Sequence, residues 1–262
     1  EPTTIFVSAS PTTVTEIFTV APSTSSPSPS TTPEARLGTA KKAWFAPSTM
    51  TDLSSFQIAK FTGGQKNLKI VNGIPAGASA NPESLAEAGG TDSAIQLLYP
   101  ANSINPAQKP QGGAEFYAAP INIADARNVS LEYSVFFPIN FDWVLAGKLP
   151  GLYGGHMGCS GGNAALDCFS TRLMWRQDGA GELYLYAPKD KQTKALCADP
   201  TSTCDATYGL SIGRGKFTWA AGAWTTVRQT VYLNTPGEQD GTFALDVNGE
   251  RMIFRDDVFY RE

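Results

Sequence analysis

Residues 148–186 read KLPGLYGGHMGCSGGNAALDCFSTRLMWRQDGAGELYLY, and the predicted fold is organised around this stretch. Its second half contains two short runs rich in apolar and aromatic residues, FSTRLMWR at 169–176 and LYLYA at 183–187. A loop that contains DGAG, at 178–181, joins them. Two such runs around a short glycine-containing loop predict a β-hairpin.

The hairpin sorts its side chains onto two faces, because alternate residues of a strand point the same way. Ser170, Arg172 and Arg176 share one face of the first run, and Tyr184 and Tyr186 share the polar face of the second. Burial of both apolar faces places Ser170, Arg172 and the two tyrosines on one open face. This arrangement requires a loop with an odd number of residues, because a slip of one residue would turn one strand over.

A lysine precedes the hairpin at a predicted strand end. Alternation over 144–149 places Lys148 on the same face as Val144 and Ala146, whose small side chains leave room beside the ammonium group. Pro150 and the following glycines then end the strand. Lys148 is therefore expected where a rigid sheet passes into an adaptable loop.

Three motifs in this order, KLPGLYGG, Ser-x-Arg and Tyr-x-Tyr, resemble polysaccharide lyase family 14. The resemblance covers roughly Ala43 to the C-terminus and is strongest over 148–186. It implies an all-β jelly-roll β-sandwich with a concave polysaccharide-binding cleft, a scaffold similar to that of glucuronan lyases. It also implies a set of catalytic residues, which are Lys148, Ser170, Arg172, Tyr184 and Tyr186.

The activity that the resemblance implies is β-elimination in a (1→4)-linked polyuronate, glucuronan or alginate, which leaves an unsaturated uronate end. A cation must stabilise the charge that develops at the C5 carboxylate, a role for Arg172 or, as a competitor, Lys148. Tyrosine, with a pKa of about 10, serves as an acid, or as a base beside cations, and a desolvated lysine is also a possible base. The acid and base roles among Lys148, Tyr184 and Tyr186 stay open, while Ser170 is expected to orient a partner or a hydroxyl.

Three further residues are predicted to contact the substrate. His156 is the only histidine and lies in the glycine-rich loop after Lys148. Arg176 lies at the end of the first run, on the same face as Ser170 and Arg172. Arg228 lies in an alternating strand pattern at 224–233, whose polar side faces either the cleft or solvent.

Two other functions compete with a lyase. A jelly-roll glycoside hydrolase needs two carboxylates at the scissile bond. The sequence has no Glu-x-Asp-x-x-Glu run, and the hairpin is predicted to carry no carboxylate on its polar face. The alternative from another class is a non-catalytic jelly-roll module that binds acidic polysaccharides, since aromatic residues, Arg and Lys suit either function.

Composition limits the partners. The chain has 17% charged residues, 25 Gly and 18 Pro, a balance typical of all-β secreted proteins, and its formal net charge is −4. The charge argues against nucleic-acid binding, so an acidic polysaccharide would need a local basic cluster. No apolar run approaches the ~20 residues of a membrane helix, so no membrane partner is expected. The protein is also expected to be a monomer. No cofactor is expected, although a structural calcium bound by loop carbonyls would leave no motif.

Four cysteines lie in or near the central stretch. Their short separations favour bridges Cys159–Cys168 and Cys197–Cys204 among three possible connectivities, and zinc is the competing interpretation. Disulfides imply an oxidising compartment, and hence a secreted, extracellular protein. Asn128 begins the sole N-glycosylation sequon.

The domain organisation follows from a change in composition. Residues 1–42 are rich in Ser, Thr and Pro and are predicted to form a disordered linker or tail, with Glu1 a processed or trimmed start. Residues 43–262 are predicted to form the β-jelly-roll lyase domain. The family's domain continues through a further glycine-rich strand, so the resemblance implies that this domain is C-terminally incomplete. Within it, residues 243–254 predict a hairpin with an Asn-Gly turn.

Overall fold

The structure, a computed structural model, describes residues 3–8, 12–13, 42–80, 92–103, 107–204 and 207–262. Strands dominate it, which confirms the predicted all-β class. No helix in these ranges has the length and apolar character needed to cross a bilayer. The strands are β1 Thr3–Ser8, β2 Thr12–Thr13, β3 Ala43–Trp44, β4 Ile58–Gly63, β5 Leu68–Asn72, β6 Ser93–Tyr99, β7 Glu115–Ala118, β8 Asn128–Phe136, β9 Ala146–Lys148, β10 Tyr153–Gly154, β11 Phe169–Arg176, β12 Gly181–Tyr186, β13 Thr203–Cys204, β14 Leu210–Ile212, β15 Trp224–Tyr232, β16 Gly241–Val247 and β17 Glu250–Val258. The helices are α1 Lys194–Ala198 and the 3₁₀ turns Ser54–Phe56, Gln65–Asn67, Ala76–Ala78, Gln177–Gly179 and Lys189–Lys191.

Two antiparallel sheets form a jelly-roll β-sandwich. The larger sheet has the strand order β17-β16-β15-β8-β1-β6-β5. The smaller sheet has the order β10-β11-β12-β14-β13, and β9 also pairs with β11. Two ribbons, β2-β3 and β4-β7, complete the described strands.

The core lies between the two sheets. Leu173, Leu183 and Leu185 of the smaller sheet belong to the same buried cluster as Val227 and Leu245 of the larger one, and each is 0% exposed. Burial of each such side chain contributes about 1.5–3 kcal/mol to stability. The inner faces also meet through a hydrogen bond, which Thr171 Oγ1 donates to Gln229 Oε1 over 2.6 Å. Because side chains alternate, Ser170 and Arg172 lie on the outer face of the smaller sheet.

Both predicted hairpins are present with the expected register. Trp175 pairs with Gly181, so the loop of the β11–β12 hairpin has an odd number of residues, as predicted. In the β16–β17 hairpin, Asn248 and Gly249 have φ values of 50° and 83°, the left-handed geometry for which Asn-Gly turns are favoured.

The N-terminal boundary differs from the prediction. Residues 3–8, assigned from sequence to the linker, form β1, which pairs with β6 on one side and β8 on the other. β2 likewise pairs with β3. The physical reason is that β1 satisfies backbone groups along two strands that would otherwise expose unpaired edges. Residues 14–41 lie outside the described ranges, and the linker prediction for them stays a prediction.

Candidate active site

The hairpin brings the predicted polar face together. Ser170 lies directly opposite Tyr186, and Arg172 lies directly opposite Tyr184, in the β11–β12 ladder. Lys148 of β9 pairs with Met174, which shares the face of Ser170 and Arg172. The catalytic residues predicted from sequence therefore share the outer face of the smaller sheet.

Three cations surround the ring of Tyr184. Lys148 Nζ lies 5.8 Å from the ring centroid, and the guanidinium carbons of Arg172 and Arg176 each lie 5.9 Å from it. Cations within about 6 Å of an aromatic ring are attracted to its electron-rich face. The protein thus has the local basic cluster that its net charge of −4 would not suggest.

Arg172 is a buried cation with unused hydrogen-bond donors. The residue is 7% exposed, and its Nε and Nη2 are buried without a hydrogen-bond partner among the residues described. The guanidinium carbon lies 5.9 Å from each of the rings of Tyr153, Tyr184 and Tyr186. Because buried charges ordinarily require a partner, this arrangement suits a group that receives an anion.

Lys148 has an altered electrostatic environment. Although its side chain is exposed overall, the pKa of its ammonium group is lowered, first by partial desolvation and then by the positive charges of Arg172 and Arg176. The carboxylate of Glu115 acts in the opposite direction. At a given pH, Lys148 therefore has more of the neutral amine than an ordinary surface lysine.

The two tyrosines form a pair in which one member is accessible. Their ring centroids are 5.5 Å apart with the planes at 81°. Tyr184 is half-buried, and its pKa is raised to about 12, first by burial and then by its hydrogen bond to Tyr186. Tyr186 is 1% exposed, and its hydroxyl accepts a hydrogen bond from the N–H of Gly162 at 3.1 Å. Tyr184 is thus protonated at neutral pH and can act as a proton donor.

Ser170 connects the sheet to the loop above it. It is 0% exposed, and its hydroxyl donates to the carbonyl oxygen of Cys159 over 2.8 Å. Both predicted disulfides are present, Cys159–Cys168 and Cys197–Cys204. The first encloses a loop whose buried residues pack against Tyr186, so the disulfide lies next to the tyrosine pair.

The backbone around Lys148 is fixed from the core side. The carbonyl oxygen of Pro150 accepts hydrogen bonds from Tyr133 Oη at 2.9 Å and from Gln229 Nε2 at 3.1 Å. A Cβ at position 151 would lie 2.5 Å from the backbone N and Cα of Arg172, so Gly151 permits a close approach that a side chain would prevent. The Pro-Gly sequence thus fixes Lys148 relative to Arg172.

His156 makes its hydrogen bonds within its own loop, and its contact with the substrate stays a prediction. Its Nε2 lies 3.0 Å from Asp167 Oδ1, and its Nδ1 lies 2.6 Å from the carbonyl oxygen of Met157. These contacts, which raise its pKa, stay within the loop after β10. His156, Asp167 and Cys168 are residue types that bind metals, but the sulfur of Cys168 is in a disulfide.

The prediction that Arg228 contacts the substrate is wrong in its geometry. Gln229 points into the core, where it bonds to Thr171, so Arg228 points to the outer face of the larger sheet. That face lies on the opposite side of the sandwich from Arg172. Alternation in the sequence separates two faces of a strand but does not say which sheet the strand joins.

The prediction that the hairpin carries no carboxylate on its polar face is also wrong. Glu182 shares the parity of Tyr184 and Tyr186, and it is 0% exposed. Its carboxylate accepts hydrogen bonds from Arg176, Arg214 and Ser211. Counting by twos from Tyr184 would have found it. Because it is buried and paired, Glu182 does not supply the two-carboxylate geometry of a glycoside hydrolase.

Two further tyrosines, one beside Arg172 and one packed on the first, were not predicted from the sequence. The ring of Tyr153, from the KLPGLYGG motif, lies against the Arg172 guanidinium. Burial raises the pKa of its hydroxyl to about 12. Tyr117 packs edge-on against Tyr153 with ring centroids 5.1 Å apart.

The fold is a β-sandwich that carries Lys148, Arg172 and two tyrosines on one outer face. The sequence profile of the family described as Polysaccharide lyase 14 matches residues 87–262. The chain belongs to this family, and it is a polysaccharide lyase. Family membership decides against the non-catalytic binding module.

Individual relatives agree with this assignment. The crystal structure of the marine PL-14 alginate lyase from Aplysia kurodai is 28% identical, with a TM-score of 0.58 over 74% of this chain and 83% of that one. The alginate lyase vAL-1 from Chlorella virus is 20% identical, with a TM-score of 0.54 over 78% and 84% of the chains, and supports the fold alone. Exolysin of Paramecium bursaria Chlorella virus 1 is 26% identical over 164 residues, 54% of this chain. The match spans only 25% of that curated relative's length.

Proposed function

We propose that this lyase cleaves a (1→4)-linked polyuronate, of the alginate or glucuronan type, by β-elimination and leaves an unsaturated uronate end. The observation that carries the proposal is Arg172, a buried guanidinium beside Lys148 and Arg176, two of whose nitrogens have no hydrogen-bond partner in the described part of the chain. A neutral polysaccharide has no group to compensate this charge, whereas a uronate carboxylate does. The similar Aplysia protein is named an alginate lyase, which makes alginate the first substrate to test.

Arg172 binds the carboxylate at C5 of the uronate. Its planar fork of N–H donors matches the two oxygens of a carboxylate, and such charge-assisted bonds are about twice as strong as neutral ones. As the C5 proton leaves, negative charge grows on the carboxylate, and the fixed cation stabilises it. Arg172 therefore contributes to binding and to the transition state.

Lys148 removes the C5 proton, and Tyr184 protonates the leaving oxygen. The lowered pKa of Lys148 supplies the neutral amine, and the pKa of Tyr184, about 12, keeps its proton available. The C5 proton passes to the amine, a C4=C5 double bond forms, the C4–O4 bond breaks, and O4 takes the hydroxyl proton. The ring of Tyr186 packs edge-on against that of Tyr184 and holds it in place, and Ser170 holds the loop in place.

Secretion is part of the proposal. The Cα atoms of each disulfide lie 5.8 Å apart, the usual separation for such a bond. Disulfides persist in oxidising compartments, which supports secretion. Glycosylation of Asn128 stays a prediction, and this residue begins β8 with its Oδ1 buried.

One assay tests the proposed reaction. The purified chain is incubated with alginate and with glucuronan while ultraviolet absorbance and reducing ends are followed together. We expect both signals to rise with wild-type protein and neither with Lys148→Ala. Reducing ends without absorbance would indicate hydrolysis, and binding without either signal would contradict catalysis on these polymers.

A further inference from the structure

A buried carboxylate lies beneath two arginines beside the candidate active site. Glu182 is 0% exposed, and its Oε1 accepts hydrogen bonds from Arg176 Nε at 2.9 Å and Nη2 at 2.5 Å. Its Oε2 accepts from Arg214 Nε at 2.7 Å and from Ser211 Oγ at 2.6 Å. The two oxygens thus hold one arginine each.

The two arginines face outward while their anchor is enclosed. The side chains of Arg176 and Arg214 are 27% and 41% exposed, against 0% for Glu182. Glu182 is the only carboxylate paired with either arginine within the described ranges, so the group carries one net positive charge. The second arginine satisfies the other oxygen of the buried carboxylate, and it leaves the group with a positive charge at the surface that can attract an anion.

This cationic group adjoins Tyr184. The guanidinium carbon of Arg176 lies 5.9 Å from the Tyr184 ring, and Ser211, bonded to Arg214, pairs directly with Tyr184 between β14 and β12. Arg172 pairs with Tyr184 on its other side. Positive charge therefore continues across the strands beyond the reactive position, in a direction that a polymer chain could follow.

The backbone that carries Arg214 is also fixed. Gly213 and Gly215 have φ values of 67° and 78°, and they form a tight turn after β14. The N–H of Arg214 donates to the carbonyl oxygen of Thr201 over 2.8 Å, and the N–H of Gly215 donates to that of Gly181 over 2.9 Å. Arg214 is thus presented by a rigid turn.

We propose that Arg176 and Arg214, held by Glu182, form a second carboxylate-binding subsite that takes the uronate next to the one being cleaved. Glu182 is a positioning residue, because it touches the arginines and not the substrate. The inference rests on the proposed polyuronate substrate. It predicts that affinity depends on oligomer length, because only a chain that reaches past Tyr184 places a carboxylate on this pair.

The test uses Arg214→Gln and oligouronates of defined length. We expect KM for long oligomers to rise about tenfold or more, the usual effect of losing a charge-assisted hydrogen bond, with kcat within about twofold. The rise should be much smaller for the shortest oligomer that is cleaved. Arg251→Gln is the matched control, since Arg251 Nε also bonds a carboxylate, that of Asp246, but in the larger sheet. It should leave KM unchanged at every length.

Glu182→Gln separates geometry from net charge. This variant makes the site more positive yet releases both arginines, so we expect KM for long oligomers to rise by about tenfold. A fall in KM would overturn the positioning role. For Arg214→Gln, an equal loss at all lengths, or no loss, would overturn the subsite.

The outcome is separable from that of the proposed function. If the wild-type protein makes no unsaturated ends from any polyuronate, β-elimination fails as a proposal. Calorimetric binding of alginate oligomers to the wild type and to Arg214→Gln then decides the subsite by itself. Weaker binding by the variant, with an unchanged Tm, supports it, and equal binding or absence of binding overturns it.

Discussion

Arg172 lies directly opposite Tyr184 in the β11–β12 ladder, and its guanidinium carbon is 5.9 Å from the centre of the tyrosine ring. The positive charge lowers the pKa of Tyr184 while burial raises it more strongly, with a net value of about 12. A single cross-strand pair therefore joins the proposed carboxylate-binding cation to the proposed proton donor.

Lys148→Ala should lower kcat by about 10²–10⁴-fold, the usual effect of losing a general base. The side chain is exposed, so Tm should change little. Lys69→Ala is the control, because Lys69 is an exposed lysine within β5 of the larger sheet. The absorbance assay and a thermal melt check the prediction, which near-normal turnover by Lys148→Ala would contradict.

Arg172→Met should abolish turnover while keeping or raising Tm. The substitution replaces a buried cation, two of whose nitrogens lack a partner among the residues that the structure describes, with an apolar side chain of similar length. Replacement of buried charges by apolar groups is often neutral or stabilising by about 1–4 kcal/mol. A loss of Tm together with activity would show instead that Arg172 supports the fold.

The pH dependence of kcat/KM should follow Lys148. Its neutral amine is the reactive form, so the rate rises with pH, with a midpoint below the ordinary lysine value of 10.5. The Tyr184 proton, with a pKa of about 12, is kept across this range. Arg176→Gln removes one of the charges that lower the Lys148 pKa, so the midpoint should move to higher pH. Arg251→Gln is the control and should leave the midpoint of the kcat/KM profile unchanged. The same unchanged midpoint in Arg176→Gln would contradict Lys148 as the base.

Loss of the Cys159–Cys168 disulfide should reduce kcat more than loss of the other one. Its loop bonds to Ser170 through the Cys159 carbonyl and to Tyr186 through the Gly162 N–H. Each disulfide should contribute about 2–5 kcal/mol to stability, so double Cys→Ser variants of the two pairs are compared at a temperature where both are folded. Equal kcat values would show that the loop does not position the tyrosines.

Gly151→Ala should destabilise the protein and lower activity together. The added Cβ would lie 2.5 Å from the Arg172 backbone, a clash that costs about 1–3 kcal/mol or more. Gly77→Ala is the control, because a Cβ there would have no atom of the described residues within 4 Å. Denaturant unfolding and the absorbance assay measure both effects, and an unchanged stability of Gly151→Ala would refute the close approach.

Local alternation explains why much of the site was predictable. Once the loop of the β11–β12 hairpin has an odd number of residues, Ser170, Arg172 and the tyrosines must share a face. The same rule places Glu182 on this face, but the predicted second strand began at Leu183 and so left Glu182 out. The disulfides were predictable because short loops leave few workable pairings.

The sequence by itself determined the hairpins, the polar face, the cysteine pairing and the family, because each depends on residues close together in the chain or on ordered motifs. Only the tertiary structure decided that Arg228 faces away from the site, that residues 3–8 complete the larger sheet, and that Arg214 joins Glu182. These depend on which strands become neighbours, and that choice is made by burial of the whole core rather than by local pattern.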